Sequence, residues 1–397
     1  MIVQYARLTL VAAASLYLWP AVCLSSPDAS SAAKLISEPV TLNDLWEGQA
    51  YFRYVTELRW QPGDDAVHEG AGSFFVHDGI WYVVNRAALP HPSENCTPDN
   101  TRTVARASTD QGRTWSAPTT LVDPGTSPRG DHCAVLDGSV YHDTKSSTWH
   151  LLAQCLDGKG ALWALCHYTR RAATPLGRFE ADPTNPVVVG GELWSRICHG
   201  QNKGCPSTTR DEGTPDIIGM ANGEFIVTMH GYDPASKTGY RGVVHTPDFR
   251  TWHVSGNGLP GDAILGPKDC ATWLSGCVGT GVASIISYPR DPHRYMVAET
   301  MTVGLECTAG QQWIFQLLRS ESAVWPRSGA GQWEKLPGEA LLRTKYPSPS
   351  AACPVQYARL IKDGADTFLI YEDWDRTTGT VHRHLLHLVA GSGPRLR

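Results

Sequence analysis

The chain repeats itself. Five segments each carry a strand-like run, a polar turn and a second, apolar run led by an aromatic residue: "HEGAGSFFVHDGIWYVV", "LDGSVYHDTKSSTWHLL", "DEGTPDIIGMANGEFIVT", "GTGVASIISYPRDPHRYMVA" and "PVQYARLIKDGADTFLIY". The leading aromatics are Trp81, Trp149, Phe225, Tyr295 and Phe368, spaced by about 70 residues. A unit of that length holds four short strands, which is one blade of a β-propeller. Five units fill the chain from about residue 50 onward, and no Pro/Gly/Ser-rich linker separates them. The expected fold is therefore all-β, a five-bladed β-propeller over residues 51–397, with a six-bladed arrangement as the alternative. Residues 26–50 are expected to dock on the propeller or complete its ring, and helices should be few and short.

Composition agrees with that reading. Only 18% of the 397 residues are charged, while 38 are Gly, 27 Pro and 14 Trp, a pattern poor in helix-favouring surface and rich in turn punctuation. A net charge of −5 provides no electrostatic footprint for nucleic acid or an anionic membrane. The opening "MIVQYARLTLVAAASLYLWPAVCLSS" has an early Arg, an apolar run from Leu8 to Leu18 and then small residues. This is the layout of a signal peptide, residues 1–25, and the apolar run is shorter than the ~20 residues a membrane span needs. The mature chain is expected to be secreted, extracellular and monomeric, without stable membrane association.

Cysteine usage points the same way. Of 11 cysteines, Cys23 lies in the leader, and the ten that remain suggest up to five disulfides in an exported chain. "CHGQNKGC" and "CATWLSGC" read as local loops, Cys198 with Cys205 and Cys270 with Cys277. No C-x-x-C pair or clustered His spacing suggests zinc, so no metal site or cofactor is implied, the alternative being a single structural cation on the propeller axis. Asn95-Cys96-Thr97 is a glycosylation sequon whose middle residue is an expected disulfide partner.

The repeats also align candidate chemistry. Counting back 12 residues from Trp81, Trp149 and Phe368, and 13 from Phe225, reaches Glu69, Asp137, Gln356 and Glu212. The first strand of a propeller blade lines the central channel, so Glu69, Asp137 and Glu212 are expected to converge. Clustered carboxylates raise one another's pKa, which lets one act as general acid while another stays ionised as base, the equipment for cleaving a glycosidic bond. The structural alternative is that acidic residues before Gly are turn formers or strand-end caps. His68, His132, His230 and Arg129 are candidates for substrate binding beside them, and Asp131, Asp211 and Asp216 belong either to the same funnel or to polar loops. Trp60, Trp194, Trp273 and Trp374 are freer to stack on a sugar than Trp81, Trp115, Trp149 and Trp252, which fall in strands or turns.

The stretch "STDQGRTWS" supplies a family signal. Ser108, Asp110, Gly112 and Trp115 fit S-x-D-x-G-x-x-W, which resembles the Asp-box of sialidases and other propellers. The Asp and Ser side chains can hydrogen-bond a tight turn, the Gly permits it, and the Trp staples it to the blade. The box is expected to be a strut after the second strand of the first unit, with a degenerate copy at Thr246 to Trp252. Over most of residues 65–375 the chain resembles the sialidase and five-bladed glycosidase superfold, which implies a carbohydrate substrate. The arabinanase and xylosidase branch implies Asp137 as the pKa-tuning carboxylate and Glu212 as the acid. Glu69 then stands in for the base, although "HEGAG" departs from that branch's Asp-Pro. The six-bladed sialidase branch implies Tyr357 as nucleophile with Glu212 as its partner, and an Arg clamp drawn from Arg53, Arg86, Arg129, Arg241 and Arg359. The alternative to catalysis is a glycan-binding or adhesive propeller.

Overall fold

The computed structural model describes residues 39–60, 69–89, 93–96, 100–158, 161, 163–189, 193, 212–233, 238–253, 263–265, 277–302, 313–337, 356–375 and 380–392. The leader, His68, Trp194, Asp211, Trp273, the Cys198, Cys205 and Cys270 positions, and the side chains of Glu212, Cys277 and Trp374 lie outside the described residues. Within them the chain is predominantly antiparallel β-sheet. A short helix α1 (Leu42–Trp46) leads into β1 (Ala50–Leu58). Unit 1 follows as β2 (Gly70–His77), β3 (Ile80–Ala88), β4 (Thr101–Ser108) and β5 (Thr119–Val122). Unit 2 is β6 (Ala134–Asp143), β7 (Thr148–Leu156) and β8 (Ala164–Arg170), with both β9 (Glu180–Ala181) and β10 (Val188–Val189) pairing with β8. Unit 3 is β11 (Glu212–Ala221), β12 (Glu224–Asp233), β13 (Thr238–Thr246) and β14 (Ala263–Leu265). Unit 4 is β15 (Cys277–Ser287), β16 (Arg294–Thr302), β17 (Trp313–Ser320) and β18 (Trp333–Lys335). Unit 5 is β19 (Gln356–Asp363), β20 (Asp366–Asp375) and β21 (Thr380–Ala390), and its fourth strand is β1, with Ala50 opposite Ala390.

The second strands show why the units stack. β7 buries residues on both faces, because each unit is sandwiched between neighbours and strict in/out alternation has no solvent side to serve. Leu152 and Leu165 of unit 2 pack with Phe225 and Val227 of unit 3, and Ile226 and Val243 of unit 3 pack with Met296 and Leu318 of unit 4. Trp81 and Val83 of unit 1 pack with Phe368 and Ile370 of unit 5, and the Trp81 indole donates to Asp363 at 2.9 Å. The helix is capped by Thr41 and Asp44, and it buries Leu42 against Tyr288 and Tyr295. Disulfides join Cys96 to Cys133 and Cys155 to Cys166, so the Asn95 sequon surrounds a bonded cysteine.

The Asp-box stretch follows the third strand of unit 1, not the second. β4 ("TRTVARAS") is too polar to read as a strand from sequence, and it is buried because Arg106 finds an ionic partner inside. Ser108 Oγ accepts from Gly112 N at 2.8 Å, Asp110 accepts from Thr114 N at 2.8 Å, and the Trp115 indole donates to Gly112 O at 2.9 Å. The Thr114 hydroxyl and amide, both donating to Asp110, hold its carboxyl down at about 2. Thr246 and Asp248 close a similar turn after β13.

Every first strand is irregular at the same place. Pairing with the second strand slips between Gly70 and Ser73, Leu136 and Ser139, Gly213 and Asp216, Thr280 and Ala283, and Gln356 and Arg359. At this bulge Ala71, Asp137, Thr214 and Tyr357 adopt φ of 58°, 49°, 41° and 52°. A non-glycine residue there costs ~1–3 kcal/mol, and bulges of this kind re-aim side chains beside functional sites.

Candidate active site

The bulges decide which candidates are equivalent. Glu69 and Glu212 precede Gly70 and Gly213 at the head of their strands, two residues before the bulge, whereas Asp137 is itself the bulge residue, in register with Tyr357. The count from the aromatics equated Glu69 with Asp137 because the β2–β3 turn holds two residues, between His77 and Ile80, and the β6–β7 turn four, between Asp143 and Thr148.

Asp137 and Tyr357 meet at Arg86, the residue of β3 that pairs with Gly70. Arg86 Nη1 donates to Asp137 Oδ1 at 3.2 Å and to Oδ2 at 3.3 Å, and its guanidinium carbon lies 5.9 Å from the centroid of the Tyr357 ring. Burial works against the Arg86 charge, but Asp137, Tyr357 and Glu372 outweigh it and hold the guanidinium above its ordinary range. Burial, reinforced by Asp137, pushes the Tyr357 phenol up. The Asp137 side chain is only 7% exposed.

Two further carboxylates frame this group. Glu372 accepts from Ala71 N at 3.0 Å and Gly72 N at 3.2 Å, so unit 5 holds the bulge of unit 1. Glu299 accepts from Val282 N at 3.2 Å and Ala358 N at 3.1 Å, and burial raises its pKa to about 8 against those amide bonds. In unit 3 the buried Arg241 donates to Thr214 Oγ1 at 2.7 Å and Thr214 O at 2.9 Å, which fixes the bulge two residues after Glu212; burial lowers the Arg241 pKa to about 9. Arg86, Glu299 and Glu372 had a visible sign in the sequence, a charged residue late in an otherwise apolar second strand.

The other candidates disperse. Glu69 is buried, with its carboxylate accepting from Arg106 Nη2 at 3.0 Å and from Asn85 at 3.0 Å, while its carbonyl accepts from Arg383 at 2.6 Å. Trp60 is 8% exposed between the guanidinium groups of Arg106 and Arg383, so it is closed to a sugar. His132 is exposed and bonds Asp157, which raises its pKa, and Arg129 donates to Asn185 O at 3.4 Å. Asp131 is a buried strut that accepts from Tyr168 and Ser127. Half-buried His230 pairs with Gly213, beside Glu212. Among the described residues no group of three or more His, Cys, Asp or Glu side chains forms a metal cluster, and no helix is long and apolar enough to cross a membrane.

The architecture defines a class: a predominantly β fold similar to that of solved glycoside hydrolases. Among solved structures the chain is similar to a glycoside hydrolase at 12% identity and TM-score 0.61, covering 90% of this chain and 96% of that one. It is also similar to the BT0996 RGII complex at 12% identity and TM-score 0.60, covering 88% and 95%. Zg3597, a family 117 glycoside hydrolase of the marine bacterium Zobellia galactanivorans, is similar at 14% identity and TM-score 0.51, covering 86% and 91%. No protein-family model and no curated protein matches the sequence. Likeness at these identities establishes the fold and assigns no residue a role.

Proposed function

We propose that this chain is a secreted, five-bladed β-propeller glycoside hydrolase acting on an extracellular glycan. Three four-stranded sheets and a nine-stranded sheet that joins units 1 and 2, the N-terminal strand completing unit 5, and the packing of unit 1 against unit 5 support the propeller reading. Likeness to glycoside hydrolases supports the activity. The observation that carries the site is the meeting of Asp137 and Tyr357, from bulges on two different first strands, at the Arg86 guanidinium.

In this reading Asp137 orients the sugar and tunes its neighbours, while Glu212, at the head of β11, protonates the leaving oxygen. Glu69 is the carboxylate equivalent to Glu212, and its ion pair with Arg106 makes it a weak base that must first be released. That pair is also the observation favouring the rival reading, a glycan-binding propeller without turnover, in which the axial acids serve as struts.

The test is hydrolysis of chromogenic α-L-arabinofuranoside, β-D-xyloside, galactoside and sialoside substrates by the secreted protein and by Glu212→Gln. Turnover of one sugar, abolished in Glu212→Gln, is expected. Turnover that Glu212→Gln leaves intact would remove Glu212 from the mechanism, and silence across the panel would favour the binding propeller.

A further inference from the structure

A second site lies one layer along the first strands from the bulges. Residues of β2, β6, β11, β15 and β19 border one cavity of about 220 Å³. At its head are Ser73, Asp216 and Arg359, each the first residue to resume regular pairing after the bulge in units 1, 3 and 5. Arg359 crosses between units: Nη1 donates to Asp216 at 2.9 Å and to Ala283 O at 3.2 Å, and Nε donates to Gly72 O at 3.4 Å.

Two polar groups there remain unused. Arg359 and Ser73 are each 5% exposed as residues. Among the described residues neither Arg359 Nη2 nor Ser73 Oγ has a hydrogen-bond partner, neither atom is fully sealed, and both residues line the cavity. A guanidinium nitrogen has only hydrogens to offer, so its complement is an acceptor, and a hydroxyl can donate to the same acceptor. Asp216 neutralises Arg359, but Lys362 adds a further positive charge to the lining while its Nζ is tethered to Ser287 O at 3.0 Å. The lining therefore carries one net positive charge. A dry cavity of about 150 Å³ accommodates benzene, so this one has room for a ligand of several non-hydrogen atoms.

We propose that this cavity binds a small oxyanion, a carboxylate or inorganic phosphate, on Arg359 Nη2 and Ser73 Oγ. Charge-assisted hydrogen bonds from a guanidinium favour an oxyanion over a spherical halide, and the small volume excludes an oligosaccharide. The site is independent of the glycosidase reading, since neither group belongs to the Asp137, Tyr357 and Glu212 constellation.

Isothermal titration of the secreted protein with sodium phosphate, sodium acetate, sodium chloride and glycerol, at matched ionic strength, tests it. Saturable binding of phosphate or acetate at millimolar concentration or below is expected, with chloride and glycerol silent, and the stronger of the two identifies the source chemistry. Ser73→Val, which removes the hydroxyl and leaves the Arg359–Asp216 pair alone, should weaken that binding by about tenfold. Lys362→Met is the second variant, and it should weaken binding by a smaller factor; if Ser73→Val does not fold, Ser73→Ala replaces it. No saturable binding of either oxyanion, or binding unchanged in both the Ser73 and Lys362 variants, overturns the proposal.

Discussion

Asp137 and Tyr357 hold the same bulge position on two different first strands, at φ 49° and 52°, and both face the Arg86 guanidinium. That backbone conformation is uncommon for any residue other than glycine. The strain is maintained by contacts between units, in which Arg86 engages Asp137 and Glu299 holds the amide of Ala358 next to Tyr357. Ala71 and Thr214 share that conformation, so it belongs to the repeat; the proposed use of Asp137 and Tyr357 rests on the acid and the phenol it points at one cation.

The phenol is the less plausible nucleophile, because burial and Asp137 both keep it protonated. Asp137→Asn is expected to lower kcat by roughly 10²- to 10⁴-fold. Tyr357→Phe should cost less. Steady-state kinetics on whichever sugar the panel identifies gives the comparison, and a larger loss for Tyr357→Phe would reinstate the tyrosine nucleophile.

Arg106 is fully buried and its partner Glu69 nearly so. Arg106→Met removes the cation and strands the carboxylate, a change expected to cost about 3–5 kcal/mol in urea unfolding. Combining it with Glu69→Leu should recover much of that loss, since the stranded charge is then gone.

His150 and His167 stack between units 2 and 3, with His150 Nδ1 and His167 Nε2 3.0 Å apart and Phe249 against both rings. Burial lowers each pKa to about 4, and for His167 the neighbouring His150 adds to the effect. The unfolded chain, with His near 6.5, takes up these protons first, so stability is full above about pH 6.5 and declines as pH falls toward 4. The loss is on the order of 3 kcal/mol for the pair, with His150 discounted for its partial exposure. Urea unfolding at pH 7 and pH 5 measures it, and His150→Phe should flatten the difference.

Glu299 has the opposite sign. Burial raises its pKa to about 8, so the stability tied to its neutral form is present below the unfolded carboxylate value and lost as pH rises through 8. Glu299→Gln cannot ionise, but Val282 N and Ala358 N bond different carboxylate oxygens, so the amide keeps an acceptor for only one of them. It is expected to fall below the parent at pH 5 and to close or reverse that gap at pH 8.5 in thermal unfolding; the same gap at both would show that Glu299 does not titrate in this window.

Trp115 is 2% exposed and packs edge-on against Trp60 and Phe74. Trp115→Ala should destabilise by about 3–5 kcal/mol, whereas Asp110→Ala, at an exposed turn, should cost about 1 kcal/mol. Both variants should retain activity, measured with stability on the same preparations, if the box is a strut.

The repeat, the apolar second strands and the box turn were legible in the sequence because each is written in residues close together along the chain. Ser108, Asp110, Gly112 and Trp115 close their turn within one short segment, so spacing alone describes it. β4 was missed because a strand containing two arginines is buried only when Glu69, elsewhere in the unit, neutralises Arg106. Asp137 was found, but its partner in register is Tyr357 and not Glu69, since two extra residues in the β6–β7 turn displace any count made from Trp149. By itself the sequence determined the repeat, the first two strands of each unit and the all-β class, which follow from local periodicity and turn chemistry. Only the tertiary structure decided which charges meet: Arg86 with Asp137, Arg359 with Asp216, and Arg383 with Glu372. The first two pairs join residues far apart in the chain, and their geometry is set by bulges and inter-unit packing that have no local signature; Arg383 and Glu372 face each other across β20 and β21.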